Sequence, residues 1–113
     1  MSVRYMIRLP DPAAARGTDP ALSFSAHGYE AFAEQLEAAL RTPTLFERWR
    51  DAQPDPDAVD PALGATDPQA RVEGRREDMS VYLTAVTSLP GEIVRQRLRW
   101  LAGSHWELRD VRG

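Results

Sequence analysis

Ala70-Arg-Val-Glu-Gly-Arg-Arg76-Glu-Asp-Met79-Ser-Val-Tyr-Leu-Thr-Ala-Val-Thr87 is the stretch on which the fold turns. Residues 79–87 are rich in β-branched and aromatic side chains and read as a strong strand. Residues 70–76 read as a second strand, weakened by Gly74. The short polar link Glu77-Asp78 joins the two as a hairpin. Ser88-Leu-Pro-Gly-Glu then opens a helix that reaches about Ala102, with Gly103 as its stop. Val94, Leu98 and Leu101 form its core stripe, flanked by Ile93 and Trp100.

Upstream of the hairpin, His27–Arg41 places Tyr29, Phe32, Ala33, Leu36 and Leu40 at helical spacing, with Glu30, Glu34 and Glu37 opposite. Thr42–Arg50 reads as a short extra helix, because Pro43 suits a helix start and Thr44 and Glu47 have capping-box spacing. Val3-Arg-Tyr-Met-Ile-Arg-Leu9 alternates strictly, as a half-buried strand does, and Pro10 and Pro12 end it. Residues 10–24 read as a loop. His105–Val111 alternates again as a closing strand. The order βαββαβ predicts a ferredoxin-like α+β fold: a four-stranded antiparallel sheet with two main helices on one face. At 113 residues the chain is one domain, 1–113, able to bury a core without disulfides or metal.

Residues 53–68 hold four prolines and four aspartates. They predict a long, acidic, Pro-rich loop inserted before the second strand, either mobile or functional. Asp55, Asp57 and Asp60 are its candidate docking residues. They do not form a calcium loop, since the sixth and twelfth positions counted from Asp55 are Asp60 and Thr66 rather than Gly and Glu.

Composition removes whole chemistries. There is no cysteine, hence no disulfide, thiol nucleophile or cysteine-ligated metal. Small secreted domains often carry disulfides, so their absence leans towards the cytoplasm. No apolar run is long enough to span a membrane, and Arg4, Arg8 and Pro10 interrupt any signal-peptide core. All 14 basic residues are arginine, and lysine and asparagine are both absent, which fits a GC-rich bacterial genome. Arginine enrichment is therefore poor evidence for phosphate binding. The net charge of −3 argues against a nucleic-acid partner, although residues 71–113 are locally basic.

If the helices cover one sheet face, that face takes Val3, Tyr5, Ile7, Leu9, Val72, Val81, Leu83, Ala85, Trp106 and Leu108. The other face then displays Arg4, Met6, Arg8, Arg71, Glu73, Arg75, Tyr82, Thr84, His105, Glu107 and Arg109. Arg4, Arg8, Arg71, Arg75, Tyr82, His105 and Arg109 are the candidate binding surface. A four-stranded face of this kind binds single-stranded RNA in some folds, but the third strand lacks the required glycine and the aromatic series.

His27 and His105 are the only histidines. His27 precedes a helix and suits a capping or surface role. His105 and Tyr82 are the weak catalytic candidates, in a pocket with an arginine such as Arg4. No spacing suits a metal, no phosphate loop or nucleophile elbow is present, and no cofactor is expected. Arg97 projects between Ile93 and Leu101 on the apolar side of its helix. It should snorkel to the edge or reach an acid on another element or subunit. Trp49 or Trp100, if partly exposed, suits an interface anchor.

The reading that emerges is a non-enzymatic binding or accessory protein. It acts through a protein–protein surface, the sheet face or the acidic loop, as a homodimer or with a protein partner. The alternative is a small enzyme with a pocket at a dimer interface. The third reading is single-stranded nucleic-acid binding on the open sheet face.

Overall fold

Alternation makes the first strand: Tyr5, Ile7 and Leu9 turn inward and are buried, while Arg4, Met6 and Arg8 turn outward. The computed structural model describes residues 2–113, and Met1 of the predicted 1–113 domain lies outside them. The elements run β1 (Val3–Leu9), α1 (Tyr29–Arg41), α2 (Thr44–Asp51), β2 (Arg71–Glu77), β3 (Ser80–Thr87), α3 (Gly91–Ala102) and β4 (Glu107–Arg112). The four strands form one antiparallel sheet in the order β2-β3-β1-β4, with three helices in an α+β architecture.

The hairpin turns through Asp78 and Met79, because Glu77 pairs with Ser80. Asp78 has φ of 54°, the left-handed conformation that a two-residue connection demands. β3 therefore begins at Ser80, not at Met79. α1 lies over β2 and β3 and meets α3. Gly74 makes that close approach possible: a Cβ there would stand 2.5 Å from the Tyr29 carbonyl oxygen. The residue that weakens β2 as a strand is the one that seats the helix.

One core joins Phe32, Leu36 and Leu40 of α1, Val94, Leu98 and Leu101 of α3, and the inner residues of the sheet. Tyr5 belongs to it and donates its hydroxyl to the Leu89 carbonyl at 2.8 Å. Residues 10–28 do more than connect. Leu22, Phe24 and Ala26 are buried, the Phe24 ring meets Phe32 edge-on at 4.9 Å, and the Phe24 amide donates to the Leu101 carbonyl. The segment fills the core as a short strand would, without joining the sheet.

The acidic segment differs most from expectation. Residues 53–68 contain two 3-10 turns, Pro56–Ala58 and Pro61–Gly64, each opened by a proline after an aspartate. Two anchors pin the segment down. Arg97 is wholly buried, and its guanidinium donates to the Leu63 carbonyl at 2.9 Å and the Ala65 carbonyl at 3.3 Å. It neither snorkels nor finds an acid. Its charge sits 4.9 Å over the Trp100 ring, itself stacked on Trp49, and burial brings it down to about 10. The second anchor is Asp67, whose carboxylate accepts from the Thr87 hydroxyl and the Ser88 and Gln69 amides. Its own amide donates to the Leu40 carbonyl.

β4 carries a bulge. Met6 pairs with Asp110 and Ile7 with Leu108, so Arg109 is the extra residue. The strand also starts later than predicted, at Glu107 rather than His105. Trp106 consequently precedes the strand, half-buried, and donates its indole N–H to the Gly103 carbonyl. No helix among the described residues is long and apolar enough to cross a membrane.

Candidate functional site

The strand registers turn the open sheet face into a grid of three rows. Reading across β2, β3, β1 and β4, the first row is Arg71, Val86, Arg4 and Arg112. The second is Glu73, Thr84, Met6 and Asp110, and the third is Arg75, Tyr82, Arg8 and Glu107. The period of two along each strand puts all twelve on the side away from the helices. Five are arginines and three are carboxylates, so the face of an acidic chain is positive.

The third row is internally satisfied. Arg8 donates to Glu107 at 3.1 Å, and Arg75 lies over the Tyr82 ring at 4.5 Å while pairing with Glu77. Arg109 joins the same carboxylate from the bulge at 3.3 Å. The hydrogen bond from Arg8 holds Glu107 below the usual carboxylate range and raises Arg8 in turn. In the same way the hydrogen bond from Arg112 lowers Asp110 and raises Arg112. Solvent reaches these pairs, so they contribute little to stability.

The first row is not satisfied. Arg4 and Arg71 are exposed and make no ion pair or side-chain hydrogen bond among the described residues. Both flank Val86, one on each neighbouring strand, so their Cα atoms lie roughly 10 Å apart. Arg112, whose side chain turns back to Asp110, extends the row beyond Arg4. The result is a cationic bar across one end of the sheet, with two guanidinium forks free to bind carboxylates bidentately.

Of the predicted surface, Arg4, Arg8, Arg71, Arg75 and Tyr82 share this face. His105 does not: it lies exposed in the turn before β4, its amide bonded to the Ala102 carbonyl. Arg109 sits at the bulge, outside the three rows. The bulge shifts the alternation, and the positions it brings onto the face are Asp110 and Arg112. Arg112 was missed for that reason, since strict alternation through residues 105–111 hides an inserted residue. None of the four main clefts is lined by Tyr82, His105 or Arg4.

In the acidic segment, Asp60 caps its own 3-10 turn through the Ala62 amide, and Asp55 precedes the other turn. Asp57 lines a shallow cleft with Phe46 and Arg50. Among the described residues no group of three or more acidic or histidine side chains is placed to hold a metal ion. Comparison with protein-family models, with curated proteins and with solved structures finds no match for this chain.

Proposed function

We propose that the protein is a non-enzymatic accessory protein that docks an acidic protein partner on the open face of its sheet. The observation that carries this reading is the Arg71–Val86–Arg4 bar, with two exposed cations that have no ion-pair or side-chain hydrogen-bond partner among the described residues. Charge complementarity of this kind sets register and selects partners. The face is preferred to the acidic segment because Asp60 and Asp67 spend their carboxylates on internal hydrogen bonds.

A partner fits the bar better than a second copy does. Two sheets stacked face to face about an in-plane two-fold axis set Arg71 opposite Arg112, or Arg4 opposite Arg8, depending on the axis. Only Val86, Met6, Tyr82 and Thr84 offer apolar surface against that repulsion. RNA fits less well, because the one aromatic ring of the grid is already covered by Arg75. The strand order, with α1 and α3 in the two long connections, supports a ferredoxin-like reading of the architecture. The absence of cysteine supports a cytoplasmic setting.

The test compares the wild-type protein with the Arg4→Glu/Arg71→Glu double variant as bait, with nuclease added. The expected result is a retained protein with an acidic docking surface, lost on charge reversal while the fold is unchanged by circular dichroism. Capture that survives charge reversal, or that disappears with nuclease, overturns the reading.

A further inference from the structure

A second site stands apart from the sheet face, where α1 begins above the ends of β2 and β3. Arg76 points to the inner side of the sheet, as its pairing with buried Val81 requires. It lies just beyond the cover of α1, beside a cleft of about 480 Å³. Clefts of this size accept small organic ligands.

The cleft has two kinds of wall. One is cationic. Arg16 and Arg76 both line it, and neither pairs with a carboxylate among the described residues. Arg16 is held in place by its own donors, at 3.2 Å to the Ala15 carbonyl and 2.6 Å to the Ala26 carbonyl, with its guanidinium 5.7 Å over the Phe32 ring. Arg76 spends one N–H on the Asp78 carbonyl. Each guanidinium has five N–H donors, so most remain available, and the geometry of Arg16 is already set. Asp11 is the one carboxylate at the rim.

The other wall is apolar and exposed. Three large hydrophobic side chains stand open to solvent among the described residues, and two of them, Met79 at 75% and Tyr29 at 39%, line this same cleft. Single exposed apolar residues need no explanation, but two converging beside two unpaired cations do.

We propose that this cleft binds a small organic anion with an apolar body. Its carboxylate or phosphate head lies between Arg16 and Arg76, and its body lies against Tyr29 and Met79. The site does not depend on the sheet-face reading, because neither Arg4 nor Arg71 lines it.

Benzoate and its neutral counterpart benzamide, with inorganic phosphate as the bare anion, are titrated into isotope-labelled protein and followed by amide chemical shifts. Benzoate should shift residues 11–16, 26–31 and 76–81 saturably, with a Kd on the order of millimolar for a ligand of this size. Benzamide and phosphate should each bind at least fivefold more weakly. Arg76→Gln should weaken benzoate at least fivefold, and Met79→Ser should weaken it while sparing phosphate. Arg4→Glu/Arg71→Glu should leave it unchanged, which separates failure of this site from failure of the sheet-face reading. The proposal is overturned by shifts that map elsewhere, by benzamide binding as well as benzoate, or by Arg76→Gln having no effect. Shifts that follow protein concentration instead of benzoate also overturn it, since a second copy then occupies the cleft.

Discussion

Replacing Arg97 separates two consequences of its burial: a charge held away from water, and a latch on the acidic segment. The side chain is fully buried and, among the described residues, has no acid paired with it and no hydrogen-bond partner for its Nε. Burial brings the guanidinium down to about 10. Keeping it charged at neutral pH therefore costs on the order of 3 kcal/mol relative to the unfolded chain. The sign follows from a folded value below the unfolded one: the cost is constant through neutral pH and is relieved only above about 10. Against it stand the bonds to the Leu63 and Ala65 carbonyls and to the Gln96 side chain, with the Trp100 ring stacked on the cation. A well-formed hydrogen bond from a charged donor contributes roughly 1.5–3 kcal/mol, and only the 2.9 Å bond to Leu63 has the length of one, the other two being 3.1 and 3.3 Å, so latch and penalty nearly cancel. Arg97→Met fills most of the same volume and removes both. Global stability by urea unfolding, followed through Trp49 and Trp100, should then change by less than about 1 kcal/mol. Hydrogen exchange at the Leu63 and Ala65 amides should nevertheless accelerate at least tenfold, because the 3-10 turns lose their anchor. Arg97→Ala adds a cavity and should cost about 2–4 kcal/mol. A loss above about 3 kcal/mol for Arg97→Met refutes the cancellation, and unchanged exchange in residues 58–66 refutes the latch.

Asp67 predicts acid sensitivity. The hydrogen bond from the Ser88 amide, helped by Thr87 and Gln69, holds its carboxyl below the usual range against the opposing effect of burial. The stability it contributes is present above the ordinary carboxylate range and is lost as pH falls through its lowered value. Asp67→Asn should cost about 1–3 kcal/mol at neutral pH and flatten the acid limb of the stability curve, measured by thermal unfolding across that range. Gly74→Ala should destabilise by about 1–3 kcal/mol, because the added methyl meets the Tyr29 carbonyl and the Ala33 side chain; urea unfolding reads it directly. Light scattering should give a monomer mass at low and high salt, and a dimer disrupted by Arg4→Glu would refute the repulsion argument made for the sheet face.

Much of this structure was legible because period-two and helical spacings survive in the residues themselves. The hairpin, α1, α3 and β1 all follow from alternation or from an apolar stripe, and Tyr5 falls on the buried side as its phase requires. The departures are places where one residue changes the phase or where tertiary packing recruits a segment without regular structure. The bulge takes Arg109 itself out of the three rows and brings Arg112 onto the face, while His105 is lost because β4 starts only at Glu107. Leu22, Phe24 and Ala26 alternate visibly, but the prolines and glycine before them read as a loop, and the depth of Phe24 comes from tertiary contacts, its amide on the Leu101 carbonyl and its ring on Phe32. Arg97 stands out in the sequence as a charge on an apolar helix face. Its partners could not be found from charge, because they are backbone carbonyls that every residue carries.

The distribution of charge joins these features into one account. The chain carries −3 overall, yet its open face holds five arginines against three carboxylates. The acids needed for that balance are placed elsewhere: Glu30, Glu34 and Glu37 on α1, and four aspartates in residues 53–68. Arg97 and Asp67 pin the acidic segment to the body of the fold. An acidic partner then meets two opposed effects. Net charge repels it on approach, a repulsion that salt screens beyond about 8 Å under physiological conditions, while the bar attracts it at contact. Salt weakens both, so affinity for a protein partner should fall only gently with ionic strength. A polyphosphate backbone releases condensed counterions and loses affinity steeply. The salt slope of whatever binds this face therefore identifies the class of its partner, independently of which partner is found.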